Sequence, residues 1–137
     1  MRGLTIYQPW ASLIALGIKH YETRSWTTPY RGQIAIHAGV RVPTTDEQDV
    51  FAGDIDCATL PLGSIIAVAD LDTVIATDTL LRMPDFDWRQ EIYGDFLPGR
   101  FAWVIKRPRL IDPIPVRGQR GLWAVPQSTQ GMFRYVD

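Results

Sequence analysis

The longest strand-like pattern in the chain is Ser64–Ala76, SIIAVADLDTVIA. It is rich in β-branched residues, alternates apolar with polar in its second half, and is entered through a Leu62-Gly63 turn. Shorter runs of the same kind predict strands over 3–7, 32–38, 101–107, 109–116 and 121–125. Pro108, Pro113 and Pro115 are expected at edges or bulges, because proline has no N–H to give to a ladder. In the 32–38 run, a period of two places Gln33, Ala35 and His37 on one face and Ile34 and Ile36 on the other. Helical patterns are short. Pro9 suits a first helical turn, Leu13, Ile14 and Leu16 give a helix over 10–16 a core-facing side, and Gly17 supplies the left-handed residue that ends it. A second helix is predicted over 45–51, capped at Thr44 or Thr45 with acids in its first turn. Residues 77–87 lack a clean period and are expected as a loop or one helical turn ahead of a short helix over 88–93. Many strands without βαβ alternation predict an α+β, mostly β domain, a small and partly open β-barrel with a few short helices.

The stretch GIKHYETRSW, residues 17–26, carries the densest candidate chemistry. As a strand it places Glu22, Arg24 and Trp26 on one face and Tyr21, Thr23 and Ser25 on the other. Lys19 and Glu22, three apart, read either as an exposed ion pair worth about 0 to 1 kcal/mol or as two members of a pocket. Trp10 and Trp26 are either large core residues or a stacking surface, on which a nucleobase gains on the order of 1 to 3 kcal/mol. His37 reads as a hydrogen-bonded core or rim residue, since His20 is the only other histidine and no metal-ligand cluster exists. Residues 117–120, RGQR, form a phosphate-facing turn or an ordinary polar loop.

At 137 residues and 46% hydrophobic, the chain fits one domain with its own core, residues 1–126, and a loosely held tail over 127–137. Cys57 stands alone, which excludes an internal disulfide and a cysteine-based zinc site. No phosphate-binding loop, dinucleotide fingerprint or nucleophile elbow is present, so neither cofactor nor metal is expected. No basic-then-apolar leader opens the chain and no apolar run approaches about 20 residues, which predicts a cytoplasmic protein without a membrane span. The formal charge of −1 conceals a segregation: residues 1–41 sum to +4, 42–99 to −10 and 100–137 to +5. Basic ends brought together would attract a compact anion while the molecule repels long polyanions.

The order Gln8-Pro9-Trp10-Ala11, Gly-x-Lys-x-x-Glu-x-Arg over 17–24, Tyr30-Arg31-Gly32, GDFLPGRFAW over 94–103 and PVRGQRGLW over 115–123 resembles the activating-signal-cointegrator homology (ASCH) family, relatives of the PUA-type RNA-binding barrels. The resemblance implies the same small barrel and two classes of function. In the small bacterial members that are amidohydrolases on acylated cytidine, the motif has Lys where Lys19 stands and Arg where Arg24 stands, but Thr where Glu22 stands. The covalent route of those members therefore does not carry over. A carboxylate at Glu22 can instead take a proton from water, with Lys19 holding the oxyanion or protonating the leaving amine. Arg24, Trp10 and Trp26 would bind the nucleobase or nucleoside, and Glu91 is the candidate for the family's acid. The alternative is a module that binds RNA or DNA, single-stranded RNA included, or a weak ribonuclease. The net charge favours the small ligand.

Overall fold

A computed structural model describes residues 1–136. Its strands are β1 (Arg2–Ile6), β2 (Tyr21–Arg24), β3 (Gly32–Ala38), β4 (Ser64–Ala76), β5 (Phe101–Pro115) and β6 (Leu122–Ala124). They form one sheet in the order β2-β5-β4-β3-β1-β6. β1 runs parallel to β3, and every other neighbouring pair is antiparallel. The sheet curls into a half-barrel whose edges, β2 and β6, do not pair with each other. The helices are α1 (Trp10–Ala15), α2 (Thr45–Val50), α3 (Thr77–Leu81) and α4 (Gln127–Gln130), with 3₁₀ turns at Cys57–Thr59 and Trp88–Tyr93.

The short helix α1 lies inside the curl, against β3, β4 and β5. Five of its six residues, Ala11 to Ala15, are therefore buried, more than a single apolar side would require. Leu16, expected to face the core, is 49% exposed because the helix has already ended. Buried Gln8 serves the helix start in place of a side-chain cap at Pro9: its Oε1 accepts from the Ser12 N–H at 3.0 Å, and its Nε2 donates to Ser12 Oγ at 2.7 Å and to the Pro61 carbonyl at 3.0 Å. At the other end Gly17 takes φ +78°, and the Ile18 and Lys19 N–H groups both bond the Leu13 carbonyl. That closure aims the chain, and Lys19 with it, toward β2.

Two apolar clusters cover the two faces of the sheet. Ile34, Ile36, Ala67, Ala69, Leu71 and Trp103 meet α1 on one side, while Ala35, Ile65, Val68, Ile111, Ile114 and Trp123 pack on the other. The alternation expected along β3 is thus observed, with Ile34 and Ile36 against the helix and Ala35 on the opposite face. The helix α2 starts at Thr44 through a reciprocal capping box with Glu47. The break expected at the prolines of 101–116 does not occur. β5 is continuous because Pro108 and Pro113 fall where the ladder with β4 slips register: Asp70 pairs Lys106 and Val68 pairs Arg109, then Ala67 pairs Leu110 and Ile65 pairs Ile114. The segment after β6 returns to the sheet. Asp112 N–H bonds the Arg134 carbonyl at 2.8 Å, Val136 N–H bonds the Leu110 carbonyl at 2.9 Å, and Phe133 packs on the second cluster. Asp137, the last residue of the expected tail, lies outside the described residues.

Candidate functional site

Where a closed barrel would join its first and last strands, this sheet leaves a seam between β2 and β6. A cavity of about 820 Å³ opens there. Its walls come from the end of β1 (Thr5, Ile6, Tyr7), the start of α1 (Trp10), the β2 region (Lys19, Glu22, Thr23, Arg24, Trp26), residues 92–95 with Arg100, and the loop Gln119, Arg120, Gly121. The β1 carbonyl of Thr5 falls just beyond the last β1–β6 pair, Leu4 with Leu122. Arg24 Nη2 donates to it at 2.9 Å, so the guanidinium bridges the seam where no strand does.

Glu22 and Arg24 do share a strand face: Arg24 Nε donates to Glu22 Oε2 at 2.8 Å. Lys19 is not the exposed partner of a surface ion pair. It is only 3% exposed, its Nζ lies 3.7 Å from Glu22 Oε1, and it donates to the Tyr93 carbonyl at 2.5 Å. Burial pushes the Lys19 ammonium below its ordinary pKa of 10.5; the charge and hydrogen bond of Glu22 pull it back up, and Arg24 pushes it down again. The two oxygens of Glu22 are thus unequal, one held by Arg24 and the other left beside the ammonium.

The aromatic wall is built in layers. Trp10, half-buried, meets Phe51 edge-on at 6.0 Å, and Phe51 stacks on Tyr93 at 5.8 Å. The Arg41 guanidinium sits 4.7 Å from the Tyr7 ring and 5.8 Å from Trp10, and both its hydrogen bonds go to the Glu47 carboxylate. Trp26 lies past the end of β2 rather than on it, yet it still borders the cavity. It is fixed there by an edge contact with Trp103 at 4.8 Å and by the Trp103 Nε1 bond to its carbonyl at 3.2 Å.

Five of the six residues singled out in the sequence meet at this cavity: Lys19, Glu22, Arg24, Trp10 and Trp26. Glu91 does not. It is exposed and absent from the wall, because the 3₁₀ turn Trp88–Tyr93 presents Ile92 and Tyr93 to the cavity instead. Residues that sequence reasoning missed are Tyr7, Tyr93, Asp95 and Arg100. Asp95 is tied to β2 by its N–H bond to Thr23 Oγ1 at 2.9 Å, and Arg100 holds the Thr23 carbonyl at 3.2 Å and the Asp95 carboxylate at 3.5 Å. Their sequence signal was present in GDFLPGRFAW, but nothing local marks that run as a neighbour of β2.

His37 stays out of the cavity, as a core residue. The Thr5 hydroxyl pairs with its Nδ1 at 3.1 Å and its Nε2 pairs with the Val116 carbonyl at 2.7 Å, which fixes the tautomer protonated at Nε2. Trp123 Nε1 donates to the same Thr5 hydroxyl at 3.3 Å. Among the described residues no group of His, Cys, Asp and Glu could hold a metal ion, and no helix is long and apolar enough to cross a membrane.

A half-barrel sheet wrapped on one buried helix, with a cavity of aromatic and charged side chains at its seam, defines the class of this molecule. A family model described as the ASCH domain matches residues 4–110, and the chain belongs to the ASCH domain family, which is linked to RNA binding. It is similar to activating signal cointegrator 1 of Homo sapiens, 28% identical over 131 aligned residues that cover 88% of this chain, and to the Mus musculus protein of the same name at the same identity and coverage. The chain spans about a fifth of the length of these relatives, 21%. Its fold is similar to the crystal structure of ASCH from Zymomonas mobilis, with TM-score 0.62 at 17% identity over 99% of this chain and 97% of that one. A mutant ZmASCH protein from the same organism gives TM-score 0.63 at 16% identity over 97% and 98%. At such identities the likeness is one of fold.

Proposed function

We propose that the protein is a cofactor-free amidohydrolase that removes an acyl group from the exocyclic amine of cytosine or cytidine derivatives. The observation that carries the reading is the buried Lys19 ammonium beside a Glu22 carboxylate at the wall of a cavity flanked by indoles. A cavity of about 820 Å³ lies within the range of small-ligand sites. Trp10 or Trp26 offers a face for the base. Glu22 Oε1, the oxygen not held by Arg24, takes a proton from water as the water oxygen attacks the acyl carbonyl carbon. The Lys19 ammonium then faces the oxyanion. As the C–N bond breaks, the leaving nitrogen takes a proton and departs as the free amine, leaving the acyl group as a carboxylic acid. A lysine whose pKa burial has lowered gives up its proton more readily, which suits it to that second role.

The test is incubation of the purified protein with a panel of N4-acylated cytosines and cytidines, read by release of the free base or nucleoside. Turnover that disappears in Lys19→Ala, in a protein that still melts within a few degrees of the parent, is the expected result. Loss of activity and of folding together would assign the lysine to the scaffold instead. A second reading, a module that binds single-stranded RNA, is favoured by Arg100 and Arg120 on the cavity wall and by the family's link to RNA. No turnover across the panel, with RNA bound, would select it.

A further inference from the structure

The loop between β5 and β6 contributes Gln119, Arg120 and Gly121 to the cavity, and it is held in place from both ends. At its start His37 Nε2 bonds the Val116 carbonyl at 2.7 Å. Gly118 then lies so close to β1 and β3 that an added Cβ would stand 2.4 Å from Thr5 Oγ1 and 2.7 Å from the His37 ring. At its end Gly121 turns the chain into β6 with φ +65°, where an added Cβ would reach Trp26 at 4.0 Å. The loop thus crosses the seam beside the indole available to a base.

Four cations border the cavity, Lys19, Arg24, Arg100 and Arg120, against two carboxylates, Glu22 and Asp95. Lys19 and Arg24 share Glu22, and Arg100 is taken by Asp95 and the Thr23 carbonyl. Arg120 is exposed, and among the described residues it has no carboxylate partner. A wall with an excess of two positive charges, in a chain of net charge −1, calls for an anion from the ligand. We propose that Arg120 forms a phosphate subsite at the mouth of this cavity, so that the ligand is a phosphorylated cytidine rather than the free base or nucleoside. This inference rests on the reading of the cavity as a nucleobase site. A base on Trp26 leaves its sugar and phosphate beside residues 119–121, where a guanidinium recognises phosphate through paired N–H donors. A mononucleotide fits better than a strand, because residues 42–99, which carry −10 in total, supply Asp95 to the same mouth.

Calorimetric titration of the full chain with cytidine, cytidine 5′-monophosphate, cytidine 3′-monophosphate and a short oligocytidylate tests it. One of the monophosphates should bind roughly tenfold or more tightly than cytidine. Arg120→Ala should bring that monophosphate to the level of cytidine, leaving the cytidine affinity and the melting temperature unchanged, and Arg120→Lys should recover part of the difference. Equal affinity for cytidine and both monophosphates would overturn the subsite, as would no binding of any of them, or an oligonucleotide bound more tightly than either monophosphate. Hydrolysis of acylated cytidine and acylated cytidine monophosphate is followed in parallel. A monophosphate preference in binding without hydrolysis keeps the subsite and removes the amidohydrolase reading. Hydrolysis at equal kcat/KM with and without phosphate does the reverse.

Discussion

Glu22 is a carboxylate with two jobs divided between its oxygens. Oε2 is occupied by Arg24 at 2.8 Å, whereas Oε1 has only the Lys19 ammonium, at 3.7 Å, as a described charged neighbour. Glu22→Gln keeps the shape and most of the contact with Arg24 but removes the basic lone pair. Single-turnover kinetics on an acylated cytidine should then show a loss of roughly 100-fold or more with little change in affinity. Near-full activity in Glu22→Gln would reduce the carboxylate to a holder of Lys19 and Arg24. Keeping Lys19 charged while buried also costs stability at neutral pH, since desolvation outweighs the help from Glu22 in setting its lowered pKa. Lys19→Met should therefore lose activity while its melting temperature stays level or rises; a fall of many degrees would contradict this.

His37 shows how a buried side chain couples elements. Trp123, Thr5, His37 and the Val116 carbonyl form one chain of hydrogen bonds that joins β6, β1 and β3 to the loop before β6. Burial lowers the His37 pKa below its ordinary 6.5, and the bond to Val116 opposes that only in part. With the folded pKa depressed, the unfolded chain binds the proton first as pH falls. The contribution of His37 to stability is therefore complete above 6.5 and is lost progressively below it, through the folded pKa. Melting curves should show that the loss of stability between pH 7 and 5 is smaller in His37→Gln than in the parent. The same loop makes Gly118→Ala costly, because the new methyl would meet Thr5 and His37 well inside van der Waals contact. A loss of about 1 to 3 kcal/mol in denaturant unfolding is expected, against a near-neutral Gly53→Ala, whose Cβ would meet nothing within 4 Å.

The segregation of charge along the chain acts on the molecule as a single field. Basic residues from the first and last thirds, Lys19, Arg24, Arg100 and Arg120, converge on the seam, while most acids of the middle third lie elsewhere on the surface. So few phosphate contacts give weak affinity for a strand and a shallow salt slope. Fluorescence polarisation with single-stranded RNA should accordingly show weak binding at physiological salt that falls further as salt is raised. Tight and salt-resistant binding would instead point to strand recognition through stacking rather than through these few phosphate contacts.

Local patterns were enough for the elements whose reasons are local. β4 was readable from its β-branched run, the two faces of β3 from the period of two, the end of α1 from Gly17 and the start of α2 from Thr44 and Glu47. The pairing of Glu22 with Arg24 was readable for the same reason, since i and i+2 share a face of any strand. Long-range geometry was not. The prolines pointed to bulges, but no local signal says that β5 runs on unbroken through them, that the curl buries Lys19, or that the 3₁₀ turn Trp88–Tyr93 turns Glu91 to solvent and Tyr93 inward. Strand-to-strand register is set between residues far apart in the chain, Leu4 with Ile36, Glu22 with Trp103 and Leu4 with Leu122 among them, and the unpaired edges β2 and β6 are themselves about a hundred positions apart. Only when the sheet curls around α1 without closing does the seam exist, and with it the cavity that gathers Lys19, Glu22, Arg24, Trp10, Trp26 and Arg120.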